Sequence, residues 1–152
     1  MTRIVDTAIS IGSETPTTVF LKLGVDIHFT GGDLPAGRSG AAQFRIRCIV
    51  WDDDAAFNDF ITSRTQLIKT DEVQEITGID MEFSLSKQKL RDSETAAERF
   101  IELFGEFILT KNGKKLGPSV KTRNVNFRLP GGAPVPPFSG LGGSPGTPGS
   151  PA

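Results

Sequence analysis

The residues of this chain with the most chemical potential are its clustered acids, and the densest cluster is Asp52-Asp53-Asp54. Successive carboxylates at a loop end can supply the roughly six to eight oxygens that a calcium ion takes. The spacing does not fit an EF-hand loop, because no glycine stands at the sixth position and no glutamate at the twelfth. Helix capping is the better reading. Asp54 can accept from the first free amides of a helix, with its neighbours set against the positive end of the dipole. Phe57, Phe60, Ile61, Arg64, Leu67 and Ile68 then recur at intervals of three and four, which predicts a helix from Ala55 to Ile68.

Other candidate chemistry is thinner. Asp80 and Glu82 lie two residues apart, so on a strand they share a face and could serve as an acid/base pair. Nothing nearby supplies an electrophile or a ligand set, and solvated edge residues are the simpler reading. His28, the one histidine, shares a strand parity with Asp26. A Ser-His-Asp arrangement would also need a nucleophile in a GxSxG-like context, which the chain lacks. The loop from Gly31 to Gly40, with Arg38, is rich in chain breakers but lacks the GxxxxGK[ST] spacing of a phosphate cradle. It reads as a surface or inter-subunit loop. Cys48, the one cysteine, excludes an internal disulfide and a multi-cysteine metal site, and its apolar parity predicts a buried thiol. These residues point to no catalytic constellation, no metal and no cofactor, and a non-enzymatic role is expected.

The elements that must carry these residues are mostly strands. From Thr18 to Thr30, Val19, Leu21, Leu23, Val25, Ile27 and Phe29 fall on one parity, and Thr18, Phe20, Lys22, Gly24, Asp26 and His28 on the other. That is a half-buried strand of unusual length. A shorter strand, Asp6 to Ile11, precedes it, with a turn around Gly12-Ser13 and Pro16. Ala42 to Trp51 is the second strong strand; pairing with the first in a long hairpin would let Arg45 and Arg47 reach Asp26. Asp71 to Ser86 alternates again, with Gly78 as a candidate bulge. Thr95 and Glu98 have capping-box spacing before Phe100, Ile101, Leu103 and Phe104, which predicts a second short helix stopped by Gly105. Asn112-Gly113 between extended segments predicts a type I′ hairpin turn, and Val120 to Leu129 a last strand.

The expected fold is therefore α+β: a mainly antiparallel β-sandwich or small barrel with two short helices packed on it. One β-rich domain, residues 1–129, is followed by a Gly/Pro-rich arm, residues 130–152. That arm carries no charge and holds two apolar anchors, Phe138 and Leu141. No run reaches the roughly 18 apolar residues of a membrane span, and no signal peptide is visible, so a cytoplasmic or particle location is expected.

A net charge of −1 hides polarity along the chain. The segment from Trp51 to Glu82 is acidic, including Asp52, Asp53 and Asp54, whereas Lys111, Lys114, Lys115, Lys121, Arg123 and Arg128 make the later segment basic. Such polarity suits identical subunits meeting head to tail. Together with the long strand, the glycine loop and the uncharged arm, it predicts a structural subunit of a homo-oligomeric assembly, of the phage tail or capsid kind. Its partners would be copies of itself and other particle proteins. The alternative is a nucleic-acid-binding module using the basic hairpin 111–128, which near-zero net charge disfavours. The phenylalanines sit at core parities, which predicts packing rather than exposed stacking platforms.

Overall fold

The computed structural model describes residues 1–34, 42–53, 58–92 and 100–129. Two antiparallel sheets pack face to face about one core, a sandwich-like arrangement. The first sheet has the order β1-β2-β5, formed by Arg3–Glu14, Thr18–His28 and Ile76–Ser86. The second runs β4-β3-β6, formed by Asn58–Ile68, Phe44–Asp53 and Phe100–Lys111. Three short strands, β7 (Lys114–Lys115), β8 (Val120–Lys121) and β9 (Val125–Arg128), pair with the far edge of β6.

β2 is the central strand of its sheet, and its parity is realised as read. Val19, Leu21, Leu23, Val25 and Ile27 are buried, and Phe29 continues the row to meet Phe44 edge-on, ring centroids 5.1 Å apart. Facing them across the core are Phe44, Ile46, Cys48 and Val50 of β3 and Ile101, Leu103, Phe107 and Leu109 of β6. The Asn112-Gly113 turn is present, both residues having positive φ (51° and 83°), as a type I′ turn requires. Asn112 is further fixed by its side chain, whose Oδ1 accepts from the Gln43 amide at 2.8 Å.

Over their described residues both predicted helices are strands. The segment Asn58–Ile68 is β4, an edge strand paired with β3 from Phe44↔Ile68 to Asp53↔Asn58. Its three-and-four spacing arises because its inward positions Thr62, Arg64 and Gln66 lie at the open side of the sandwich and need not be apolar, so the alternation of a half-buried strand is lost. The segment from Phe100 is β6, apolar on both parities because Leu103 packs inward while Phe104 is covered on the outward face. The capping pair Thr95/Glu98 lies outside the described residues. The one α-helix among the described residues is α1, Lys87–Asp92, begun by Ser86, whose Oγ accepts from the Lys89 amide at 3.3 Å.

The expected hairpin between β2 and β3 does not form, since the two strands belong to opposite sheets, and Arg45 and Arg47 do not meet Asp26. Gly78 marks no bulge: β5 pairs with β2 in unbroken register from Thr18↔Ser86 to His28↔Ile76. The irregularities fall elsewhere, at Ile4/Asp6 and Ile11/Ser13 of β1 and between Val50 and Trp51 of β3. β1 runs on through Gly12-Ser13, so the turn is moved to Thr15–Thr18, closed by a 2.8 Å hydrogen bond from the Thr15 amide to the Thr18 carbonyl. The last strand is split into β8 and β9, where Thr122 leaves the ladder and bonds Gly105 instead.

Gly105 is not a helix stop. It lies mid-strand in β6, and its missing side chain is the space that Leu23 of β2 fills: a Cβ there would stand under 3.0 Å from Leu23 Cδ2. Glycine at this position lets the two sheets approach at the centre of the core.

Candidate interaction surfaces

The two long sides of the sandwich differ. On one side β1 is stitched to the second sheet. Arg123 Nη2 donates to the Ile9 carbonyl at 3.1 Å, and Thr7 Oγ1 to the Lys121 carbonyl at 3.4 Å. On the other side β4 and β5, each eleven residues long, are edge strands among the described residues. Between them runs a groove of about 370 Å³ lined by Phe60, Ile61, Leu85 and Leu90. Further along this side the Arg64 guanidinium lies 4.8 Å from the centroid of the Phe83 ring. Phe60 is 57% exposed, an unusual state for a phenylalanine, and stacks edge-on with half-buried Trp51 at 6.1 Å. The Trp51 indole Nε1–H donates to Glu106 Oε1 at 3.0 Å, and Ser119 holds the other carboxylate oxygen at 2.7 Å. The expectation that the phenylalanines pack rather than stand exposed therefore fails at Phe60 and Phe100.

Three of the six basic residues singled out from the sequence, Lys111, Lys121 and Arg123, are engaged within the fold, and Arg128 is exposed on β9. Lys111 pairs with Asp33 at 2.6 Å, and its ammonium stands over the Phe44 ring. Lys121 lies over Phe104, 5.4 Å from its centroid. Arg123 is the stitch already described. Lys114 and Lys115 alone of that set are presented at the exposed tip of the β6–β7 hairpin. Asp52 and Asp53 end β3 rather than capping a helix. Asp52 is buried, and Asp53 Oδ2 accepts from Asn124 Nδ2 at 2.6 Å. Asp54, Arg38, Phe138 and Leu141 lie outside the described residues. Among the described residues no three acids, histidines or cysteines converge to hold a metal ion. His28 faces Glu75 at 3.5 Å. Burial pushes the Cys48 thiol up from its ordinary 9.0 to about 12, partly opposed by the neighbouring Arg64 guanidinium.

Sequence reading missed the broad outward faces of the two sheets. On the first sheet Asp6, Asp26 and Asp80 surround a shallow depression floored by Ala8 and Gly24. On the second, Arg45 and Arg47 stand exposed on β3, flanked by Leu67 and Thr65 of β4 and by Thr110 and Ile108 of β6. Strand parity carried the signal, but only once strands were assigned to sheets did the charges of distant segments fall on one face.

No family model and no curated protein matches the chain. Among solved structures it is similar to a protein from Archaeoglobus fulgidus, at 9% identity over 83% of this chain and 97% of that one, with a TM-score of 0.46. It is similar to a bacterial adhesin from Mobiluncus mulieris, at 9% identity over 77% of this chain and 47% of that one, with a TM-score of 0.49. A glycosyl hydrolase family 2 member from Bacteroides cellulosilyticus matches at 9% identity and a TM-score of 0.47 over 81% of this chain, which spans only 13% of the hydrolase. At these identities and TM-scores none of them assigns an activity to this chain. No helix among the described residues is long and apolar enough to cross a membrane.

Proposed function

We propose that this chain is a structural subunit of a homo-oligomeric assembly, a particle component such as a phage tail or capsid protein. The observation that carries the reading is the open side of the sandwich. Two eleven-residue edge strands lie there beside a groove in which Phe60, Ile61, Leu85 and Leu90 alternate with Thr62, Ser84, Ser86 and Lys89, and Phe60 is exposed at its rim. Unpaired edges of this length are templates for pairing, and proteins that stay monomeric blunt them with proline, charge or a covering element. β4 has no proline and only two charges, Asp59 and Arg64, the latter turned onto Phe83 of β5, and it offers Phe60, Ile61 and Leu67. The Gly-rich loop with Arg38 and the arm with Phe138 and Leu141 are proposed to add contacts to neighbouring subunits, as their composition suits. Nucleic-acid binding through residues 111–128 is the weaker alternative, because Lys111, Lys121 and Arg123 are occupied by contacts within the fold.

Light scattering on the purified chain at low and high salt, with and without nucleic acid, tests this. Homo-oligomers free of nucleic acid are expected. A strict monomer under every condition would refute the assembly reading, and a monomer that binds nucleic acid at low salt would replace it with the alternative.

A further inference from the structure

We infer that copies of this chain stack sheet face upon sheet face, the acidic depression of one copy's first sheet receiving Arg45 and Arg47 from the second sheet of the next. The inference rests on the assembly reading and names the surfaces that carry it.

The acceptor face is shaped by small residues. Ala8 and Gly24 stand directly opposite one another on β1 and β2, so the sheet surface is low there, and a shallow depression of about 120 Å³ opens between Asp6, Asp26 and Asp80. The low floor depends on glycine, since a Cβ at Gly24 would come within 3.1 Å of Asp80 Oδ1. Asp6 and Asp26 are a directly opposed cross-strand pair, and Asp80, opposite Gly24, is the diagonal neighbour of Asp26. Like charges placed directly opposite destabilise a sheet. Among the described residues none of these carboxylates has a cation within ion-pair distance; the recorded hydrogen bond to Asp6 comes from the neighbouring Thr7 amide. Two strand cations share this face, Lys22 opposite Glu82 and Arg3 opposite His28, and neither is in an ion pair with these acids.

The donor face is the reciprocal. Arg45 and Arg47 point outward from the central strand β3, two residues and so about 7 Å apart. Arg47 reaches only the Ser63 hydroxyl, at 3.5 Å, and neither guanidinium is in an ion pair among the described residues. Diagonal cross-strand neighbours such as Asp26 and Asp80 are also about 7–8 Å apart. The spacing of the two arginines therefore matches that of two of the three acids. Guanidinium forks suit carboxylates better than any other cation, and burying both between two faces strengthens the pairing. Donor and acceptor faces lie on opposite outer surfaces of one sandwich, so the contact is heterologous. A rotation that closes gives a ring, and one that does not gives a stack or filament.

The test is complementation between charge variants of the full chain. R45E/R47E retains the acceptor face and D26K/D80K the donor face; circular dichroism and thermal unfolding check that each is folded, with R45Q/R47Q and D26N/D80N as milder substitutes. Wild type should self-associate in a salt-sensitive way, each double variant at least about tenfold more weakly. Mixed, the two charge-reversed variants should co-assemble in alternation, because each one's two faces complement the other's, whereas the neutral pair R45Q/R47Q and D26N/D80N should stop at a 1:1 complex, having one intact contact between them. The quadruple variant, with both faces reversed, should recover self-association. Double variants that assemble like wild type, or a mixture that stays monomeric while wild type assembles, would overturn the stacking inference and leave the assembly reading standing. A wild-type chain that is monomeric at low and high salt alike would remove both.

Discussion

Replacing Gly105 with alanine probes the centre of the sandwich with one methyl group. The new Cβ would stand under 3.0 Å from Leu23 Cδ2, with Cys48 Sγ and Thr122 Cγ2 at 3.5 Å closing the alternatives. Carbon atoms prefer about 3.5–4.0 Å, so Leu23 must move or the sheets must part. Leu23 is 1% exposed and has nowhere to retreat. Overpacking of this kind costs about 1–3 kcal/mol, and the backbone gain from removing a glycine returns about 0.5–1 kcal/mol. A net loss of about 1–2 kcal/mol is expected. Leu23→Ala alone should cost about 2–5 kcal/mol by leaving a cavity. The double variant G105A/L23A should be more stable than the sum of the two losses predicts, by at least about 1 kcal/mol, because the alanine methyl then sits in vacated space. Urea unfolding followed through Trp51, the single tryptophan, measures all four corners of the cycle. An unchanged midpoint for G105A, or additivity within about 0.5 kcal/mol, would refute the claim that Gly105 makes room for Leu23.

Two further expectations follow from the same geometry. Cys48 should resist thiol reagents in the folded chain. Its thiol stays protonated to about 12 when folded and only to about 9.0 when unfolded, so the stability present below pH 9 should fall between pH 9 and 12, as alkaline urea titrations of wild type against C48A would register. Asn112→Ala should lose about 1–2 kcal/mol, since it places alanine at positive φ and strips the Gln43 amide of its acceptor. Asn112→Asp, which keeps that acceptor, should lose less in the same unfolding assay.

What the sequence disclosed follows from which faces are buried. β2 was legible because one face meets the core along its whole length, and the Asn-Gly turn because its backbone demands those residues. β4 misled because its inward side opens toward solvent, leaving Phe60, Ile61, Leu67 and Ile68 to imitate a helical stripe. Its Ile-Thr-Ser-Arg-Thr run, poor in strong helix formers, was the contrary signal. β6 misled for the opposite reason, being covered on both faces at Leu103 and Phe104. Which strands share a sheet could not be read locally. For that reason Arg45 was matched to Asp26 within one molecule, although the two stand on opposite outer faces. By composition the basic residues of 111–123 read as a contact surface, whereas in the fold Lys111 pairs with Asp33 and Arg123 with the Ile9 carbonyl.

The order of the strands has a consequence for synthesis. β2 finds its second neighbour in β5, and β3 finds its own in β6, so neither three-stranded core is complete until a distant segment has left the ribosome. β2 ends at residue 28 and β5 at residue 86, a lag of 58 residues. At about 5–20 residues per second the nascent β1–β2 hairpin waits about 3–12 s for its third strand, and longer still for β6, which with β3 covers Val19, Leu21, Leu23, Val25 and Ile27. Microseconds suffice for a hairpin to form, so this apolar surface is displayed for a time far longer than its own folding. Several nascent copies on one message would present it side by side, and the first partners each hairpin meets are the identical hairpins of its neighbours.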